Sequence, residues 1–249
     1  MSKTTIDAQG VYYKQLNERI RQAVAEGATE IELCNVNGQR YIATGLAADV
    51  KFLVRGTPGQ DMAAFMRGPT IRVLGNAQDG AGNTMDEGRI IVEGMAGDVL
   101  GYAMRGGRLY IRGDVGYRVG IHMKAYMSKY PVIVVGGKAG DFLGEYMAGG
   151  AILLLGMYTD KPYAPICGRS LGTGMHGGVI YVRGEAPKEQ LGPNLVSEPV
   201  AGEDMDLIRD IVVDYASELG LDAGTIQADK FVKVKPFSHR PYKNLYVAA

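Results

Sequence analysis

A short pattern of two alternating apolar residues followed by a glycine recurs along the middle of the chain. Each copy has the form apolar-x-apolar-x-Gly, and the closing glycines are Gly56, Gly75, Gly94, Gly113, Gly136, Gly156 and Gly184. Successive closing glycines are separated by 19, 19, 19, 23, 20 and 28 residues. Alternation with a period of two is typical of a β-strand with one buried face, and a repeat of about 20 residues is typical of a solenoid.

Glycine is concentrated in this repeated part of the chain. Of the 36 glycines, 28 lie between Gly56 and Gly184, where they suit corners that need a positive φ angle or a close approach of neighbouring backbones. One copy is too small to bury its own apolar face, so the copies must stack and share a core. The sequence therefore predicts an all-β solenoid, a parallel β-helix of about seven coils, with insertions near Gly120–Tyr130 and Tyr158–Arg169.

Two further columns keep the same register. A small residue stands twelve positions before the closing glycine in five copies, and a methionine stands nine positions before it in six: Met66, Met85, Met104, Met127, Met147 and Met175. A column of thioethers could hold a soft metal, but adaptable apolar side chains stacked in a core explain it without a ligand. We expect the six methionines to be buried inside the solenoid.

The two ends of the chain have different patterns. Apolar residues at helical spacing predict a helix over 13–26 that ends at Gly27, and then a hairpin turn at Asn37-Gly38. A second amphipathic helix is predicted over 204–219, followed by a short strand from Phe231 and then extended chain. We expect three parts: an N-terminal helix and hairpin cap (1–49), the β-helix (50–185), and a C-terminal helix with an extended tail (186–249). Both helices are expected to cap the solenoid against end-to-end stacking.

Composition excludes several classes of protein. Lys plus Arg and Asp plus Glu number 27 each, so the chain has no net charge and lacks the basic excess of a general nucleic-acid binder. The two cysteines, Cys34 and Cys167, form no CxxC pair, which argues against Cys₄ zinc sites and cysteine-ligated iron–sulfur clusters and fits a reducing compartment. No signal peptide or membrane-spanning stretch is visible, so we expect a cytoplasmic protein that contacts no membrane.

A column of carboxylates stands fifteen residues before three of the closing glycines, at Asp79, Asp98 and Asp141. Such a ladder could bind Ca²⁺ or supply acid/base pairs, as in β-helices that cleave polysaccharides. Since no second acidic column accompanies it, we expect each carboxylate to bond the backbone of its own turn.

The other candidate residues do not form a recognisable catalytic or metal-binding group. His122, His176 and His239 show no ligand spacing, and Cys167 has no histidine at a similar point of a neighbouring coil. We therefore predict no catalytic, cofactor-binding or metal-binding residues in this chain.

The outer positions of coils five and six form an apolar patch, consisting of Ile133, Val135, Leu153 and Leu155. Such a patch must be covered by a terminal helix or by another chain. The segment 183–197 is long enough, at up to ~50 Å when extended, to let the second helix fold back. We predict that the helix packs on the patch through Ile208, Val212 and Tyr215.

Two segments of the repeat carry a family resemblance: GRIIVEGMAGDVLGYAMRGGRLYIRGDVG and VIVVGGKAGDFLGEYMAGGAILLLG. They resemble the GXGXG repeat domain at the C-terminal end of the glutamate synthase large subunit, and the same repeat occurs in one of the subunits of formylmethanofuran dehydrogenase. The resemblance is strong over residues 50–185. It implies a right-handed β-helix without catalytic residues, which holds a glutamine amidotransferase domain and an FMN/iron–sulfur synthase domain in fixed relation. This chain contains neither of those domains.

The resemblance implies a non-catalytic structural or docking subunit of a glutamate synthase-type oxidoreductase complex in nitrogen metabolism. The expected partner subunits are a glutamine amidotransferase and an FMN/iron–sulfur synthase. FMN and iron–sulfur clusters are then expected in these partners, and no cofactor is expected in this chain. A second copy of the chain is a further partner to consider. Two alternatives stay open: a scaffold in a formylmethanofuran dehydrogenase-type complex, like the subunit that carries the repeat there, and a free-standing β-helix enzyme acting on a sugar or acyl substrate. Paired carboxylates and a secretion signal would favour the enzyme, and the sequence shows neither.

Overall fold

The computed structural model describes residues 2–226 and 230–238, and within them the chain forms one 11-stranded sheet. The strands are β1 (Ser2–Asp7), β2 (Ala28–Asn37), β3 (Lys51–Thr57), β4 (Thr70–Val73), β5 (Arg89–Val92), β6 (Arg108–Ile111), β7 (Val132–Val135), β8 (Ala148–Leu154), β9 (Gly177–Arg183), β10 (Leu195–Pro199) and β11 (Phe231–Pro236). Strands β1 to β9 stack in chain order and pair in parallel, whereas β11 pairs antiparallel with both β9 and β10. The molecule is a β-solenoid of about six turns, so the predicted number of seven coils is not confirmed.

Two α-helices lie in the described residues, α1 (Tyr13–Ala25) and α2 (Glu203–Leu219), close to their predicted bounds. Helix α1 buries Leu16, Ile20 and Ala23 in the same apolar cluster as the interior of the solenoid. Helix α2 instead joins a second cluster on the outer side of the sheet. It therefore covers a side of the solenoid rather than an end.

Alternate residues of each parallel strand face the interior cluster, and in β5 to β9 outer residues join the second cluster. Ile71 and Val73 of β4 face the interior and lie opposite Ile90 and Val92 of β5, so that equivalent apolar side chains stack from turn to turn. The outer positions of β5 to β9 are also buried, because α2 crosses them. A strand that is covered on both faces reads as a continuous apolar run, as in β7, where all four residues are buried.

The predicted hairpin at Asn37-Gly38 is wrong. Strand β2 continues to Asn37 and pairs in parallel with β1 on one side and β3 on the other. Tyr41 and Ala43 are not in a strand but in a turn, where they have positive φ angles of 61° and 59°. The Asn-Gly pair signals a change of direction, and in this chain the change begins a solenoid corner.

The prediction for the methionine column is confirmed at five of its six members, but Met127 is 85% exposed. Met123 is buried at the equivalent interior position, three residues after Gly120, just as Met104 follows Gly101. The inserted residues of this turn therefore lie after the methionine and not before it. Counting back nine residues from the closing glycine therefore selected Met127 instead of Met123 for the column.

The register of β7 also differs from the prediction by one residue. Leu109 and Ile111 pair with Ile133 and Val135, so these two side chains face the interior instead of the outer patch. The closing glycine of this turn is Gly137 rather than Gly136. A slip of one residue in a strand exchanges its two faces, and the Gly136-Gly137 pair made both registers compatible with the pattern.

At each corner of the solenoid, three alternate residues adopt a left-handed backbone conformation. One such corner consists of Gly80, Gly82 and Thr84, with φ angles of 72°, 74° and 52°. The N–H groups of Gly80 and Thr84 donate to carbonyl groups of the following turn, while that of Gly82 donates to the preceding turn. The N–H groups of the three left-handed residues therefore point alternately to the following and to the preceding turn, and each forms a hydrogen bond with a carbonyl group there.

Candidate functional site

The column of carboxylates forms a structural ladder between turns. The side chains of Asp79, Asp98 and Asp141 accept backbone N–H groups from the next turn, at 2.9, 2.8 and 2.8 Å. The expectation that each would bond its own turn is therefore wrong. These carboxylates act as acceptors that tie consecutive turns together, and the backbone N–H of Arg169 keeps the pKa of Asp141 below its usual value.

Glycine is needed opposite each of these carboxylates. A Cβ atom on Gly97, Gly116 or Gly168 would lie only 2.0, 1.9 or 2.1 Å from the carboxylate oxygen of the preceding turn. Such distances are far below a normal contact, so the oxygen occupies the space that a side chain would fill. The repeated Asp and Gly positions belong to one packing arrangement.

His122 lies in an exposed column of rings, which we call the aromatic column: Tyr102, His122 and Tyr146. The ring centroids of His122 and Tyr146 are 5.3 Å apart with nearly parallel planes, and Tyr102 meets His122 edge-on at 5.8 Å. The ring of Tyr146 in turn covers Gly174, where a Cβ atom would come within 2.5 Å of it. Sequence reasoning treated His122 alone and missed the column, because its members come from three different turns.

His176 follows the buried Met175 at the start of the last parallel turn. His239 lies outside the described residues.

Cys167 is not an activated nucleophile. Its side chain is buried and its Sγ lies 3.2 Å from the side-chain oxygen of Gln190. Burial and the nearby charge of Asp141 raise the pKa of the thiol to about 11. Since the thiolate is the reactive form of cysteine, the structure keeps this side chain protonated at neutral pH.

The first insertion forms a tight hairpin, which we call the insertion hairpin, residues 124–131. Tyr126 and Lys129 exchange two backbone hydrogen bonds at 3.2 and 3.0 Å, so that Met127 and Ser128 form its tip. Met127 has a φ angle of 54° and is 85% exposed. An ion pair of 2.8 Å between Lys129 and Glu87 fastens the hairpin to an earlier turn.

The tip of the insertion hairpin combines two features. A long apolar side chain is presented to solvent, and its backbone is held in a region that residues other than glycine, Asn and Asp rarely adopt. The exposed apolar side chain does not stabilise the isolated chain, whereas a positive φ angle is normal at the tip of a two-residue hairpin and also occurs at the corners of this solenoid.

Charged side chains fasten the C-terminal half of α2 to the sheet. Asp214 accepts hydrogen bonds from Arg89 at 2.7 Å and from the hydroxyl of Tyr110 at 2.6 Å. Arg89 also binds Glu218, at 2.9 Å. Burial works against ionisation of Asp214, but these donors outweigh it, so that its pKa lies below the usual value.

A cavity of about 500 Å³ opens beside the start of α2, and its walls include Tyr130, Tyr181, Asp204, Lys233 and Phe237. Asp204 accepts hydrogen bonds from the hydroxyl of Tyr181 at 2.5 Å and from Lys233 at 2.8 Å. The carboxylate and the ammonium group neutralise each other, so the pair fastens the start of α2 to β9 and β11. This arrangement is structural.

Metal-binding groups and membrane spans are absent from residues 2–226 and 230–238. In that part of the chain, no three His, Cys, Asp or Glu side chains come together as a group that could hold a metal ion. None of the helices described there is long and apolar enough to cross a membrane.

The fold and the corner geometry define the class of protein, a parallel β-solenoid with three left-handed residues at its corners. The family model described as the GXGXG motif matches residues 14–237. The chain therefore belongs to the GXGXG motif family, which includes the C-terminal domain of glutamate synthase. It is 44% identical over 253 residues to an uncharacterized protein of Methanocaldococcus jannaschii, covering 99% of this chain and 97% of that protein.

Proposed function

We propose that this chain is a non-catalytic docking subunit of a glutamate synthase-type oxidoreductase complex. Membership of the GXGXG motif family supports this assignment. The chemistry of the site agrees with it, because the carboxylates singled out in the sequence tie consecutive turns together, and burial raises the pKa of the Cys167 thiol to about 11. The partners in this proposal are a glutamine amidotransferase subunit and an FMN/iron–sulfur synthase subunit, which carry the cofactors.

The observation that carries the docking role is the exposed tip of the insertion hairpin. Met127 presents a long apolar side chain to solvent at this tip, where it is 85% exposed. Methionine is an adaptable contact residue for protein partners. His122 of the aromatic column lies in the corner that directly precedes the hairpin in the chain. The two tyrosines of the column pack on it from the neighbouring turns, and tyrosine is enriched in interfaces. Together they form the docking surface of this proposal.

The proposal is tested by recovering the tagged chain from its native cells without oxygen. We expect two partners to be recovered with it, identified by glutaminase activity and by the absorbance of FMN and iron–sulfur clusters. Recovery with a molybdopterin enzyme would instead support the formylmethanofuran dehydrogenase-type alternative. A chain that is recovered alone and acts on a sugar or acyl substrate would contradict both docking hypotheses.

Met127→Asn locates the docking surface. Asparagine tolerates the left-handed region but removes the apolar contact, so we expect unchanged or higher thermal stability together with weaker recovery of the partners. Val213→Ala is the matched control, because Val213 is also an exposed apolar residue, 58% exposed, but belongs to α2 and not to the hairpin. Equal recovery with both variants would contradict a docking role for the insertion hairpin.

Three finer features belong to the same proposal. We infer right-handed winding and a cytoplasmic location from the resemblance and the sequence. We also infer that α1 acts as an end cap, since its apolar residues complete the interior cluster at the first turn. The division of the chain at residues 49 and 185 stays a prediction.

A further inference from the structure

Strand β1 is an edge whose outward backbone groups have a defined direction. In the inner strands, outer-face residues donate their N–H groups to the preceding strand, as Thr70 does to Val50 and Arg89 to Pro69, each at 3.0 Å. In β1, the alternation is fixed by Ala8, whose N–H donates to Cys34 of β2 at 2.9 Å. The backbone groups of the odd-numbered residues therefore point away from β2.

These odd-numbered residues are Lys3, Thr5 and Asp7, and their side chains lie on the outer, exposed face of β1. Within the described residues, β1 is the end of the sheet and no strand precedes it. The first turn thus repeats the hydrogen-bonding geometry of every later turn but lacks the strand that would complete it. Unpaired groups in such a row are a template for another strand.

The opposite edge of the sheet is protected. Strand β10 ends in Pro199, which has no N–H group to donate and is typical of edges that avoid pairing. Glu198 of this strand also forms an ion pair with Lys235 of β11 at 2.5 Å. Strand β1 contains no proline, so the two ends of the sheet are not equivalent.

The sequence of β1 is complementary to itself in one antiparallel register. A two-fold axis through Thr5 pairs Thr5 with its own copy and places Lys3 opposite the second copy's Asp7. This register matches odd residues with odd residues, so that every outward N–H and C=O group finds a partner. It also places opposite charges across from each other twice, which favours pairing.

We propose that two copies of this chain associate through antiparallel pairing of their β1 strands, which continues the sheet across a two-fold axis. A groove of about 340 Å³ between β1 and α1 leaves room for side chains of the added strand, and Arg19 and Glu26 are among its lining residues. The same axis turns α1 of the second copy antiparallel to the first.

The oligomeric state of the purified chain tests the proposal by sedimentation velocity. We expect twice the chain mass of 26.7 kDa. Thr5→Pro removes the central N–H group of the interface but none that points to β2, so this variant is expected to be a folded monomer. Thr5→Val keeps the N–H group and is expected to remain a dimer. A monomeric wild-type chain, or a dimer that survives Thr5→Pro, would overturn the proposal.

Charge exchange identifies the register. Lys3→Asp and Asp7→Lys each place like charges opposite one another in a homodimer, so each variant alone is expected to be monomeric. A mixture of the two variants restores both attractive pairs and is expected to form a heterodimer of doubled mass. A chain that carries both substitutions is expected to dimerise with itself, which also shows that the substitutions leave the fold intact. Single variants that still form homodimers, or a mixture that stays monomeric, would refute the register.

Discussion

The attachment of α2 to the outer face of the sheet predicts a selective effect of Leu153→Ala. Leu153 is fully buried in the cluster that contains Ile208, Val212 and Tyr215 of the helix. Truncation removes three carbon atoms, worth about 2.4 kcal/mol at ~0.8 kcal/mol each, and leaves a cavity under a rigid sheet. Since Leu→Ala changes in cores cost about 2–5 kcal/mol, we expect a loss of about 3 kcal/mol in the free energy that holds α2 in place.

Leu154→Ala is the matched control, because Leu154 is equally buried but faces the interior. Hydrogen exchange of the α2 amides reports the opening of the helix. A loss of about 3 kcal/mol corresponds to exchange that is faster by about two orders of magnitude, at a factor of ten per 1.4 kcal/mol. We expect this acceleration in Leu153→Ala while the α2 amides of Leu154→Ala stay protected. Equal exchange of α2 in the two variants would refute the assignment of these faces.

Three further predictions follow from side chains within the solenoid. Gly116→Ala should lower the unfolding free energy by about 2 kcal/mol, because its Cβ would displace the carboxylate of Asp98. This is the scale of a lost hydrogen bond to a charged group. In a double-mutant cycle with Asp98→Ala, additive losses of unfolding free energy would contradict this coupling. Asp204 has a folded pKa below its usual value: burial opposes ionisation, but Lys233 and Tyr181 outweigh it. Its ionised form therefore stabilises the fold above pH ~3.9, and this contribution is lost as the pH falls below that value. The melting temperature of Asp204→Asn should therefore depend less on pH in that range than the melting temperature of the wild-type chain. An unchanged pH profile would count against a stabilising Asp204–Lys233 ion pair. The thiol of Cys167, with its pKa raised to about 11, should react with a disulfide reagent at pH 8 only after unfolding, which mass spectrometry of the native and denatured chain can check.

The sequence was sufficient to predict the repeated strands, both helices and the covering of two of the four residues of the outer patch. Leu153 and Leu155 lie under Ile208, Val212 and Tyr215 as predicted, because strict alternation over several turns fixes which residues share a face. The prediction failed where the local pattern had two solutions. All four residues of β7 are apolar, so alternation could not choose its register, and the following pair of glycines did not resolve it.

Long-range contacts explain the other differences. The local sequence does not distinguish Met123 from Met127, because only the position of the insertion decides which of them is buried. The carboxylate of Asp98 has an N–H partner 19 residues away, a distance at which no local turn rule applies. The aromatic column has the same origin, since stacking brings its residues together from separate turns.

The corners of successive turns share the same backbone conformation, although they do not all have glycine at the same positions. The first left-handed position of six successive corners has φ angles between 50° and 72°, although its residues differ widely: Asp61, Gly80, Val99, Arg118, Phe142 and Ser170. A β-branched residue such as Val99 is strained in this region. The bonds between turns hold it there, since its N–H group donates to Tyr117 of the following turn at 2.8 Å. Because neighbouring turns impose the conformation, the corner side chains can vary without loss of the fold. The three successive corners that carry the aromatic column can therefore present large rings to solvent, while the stacked interior supplies the stability.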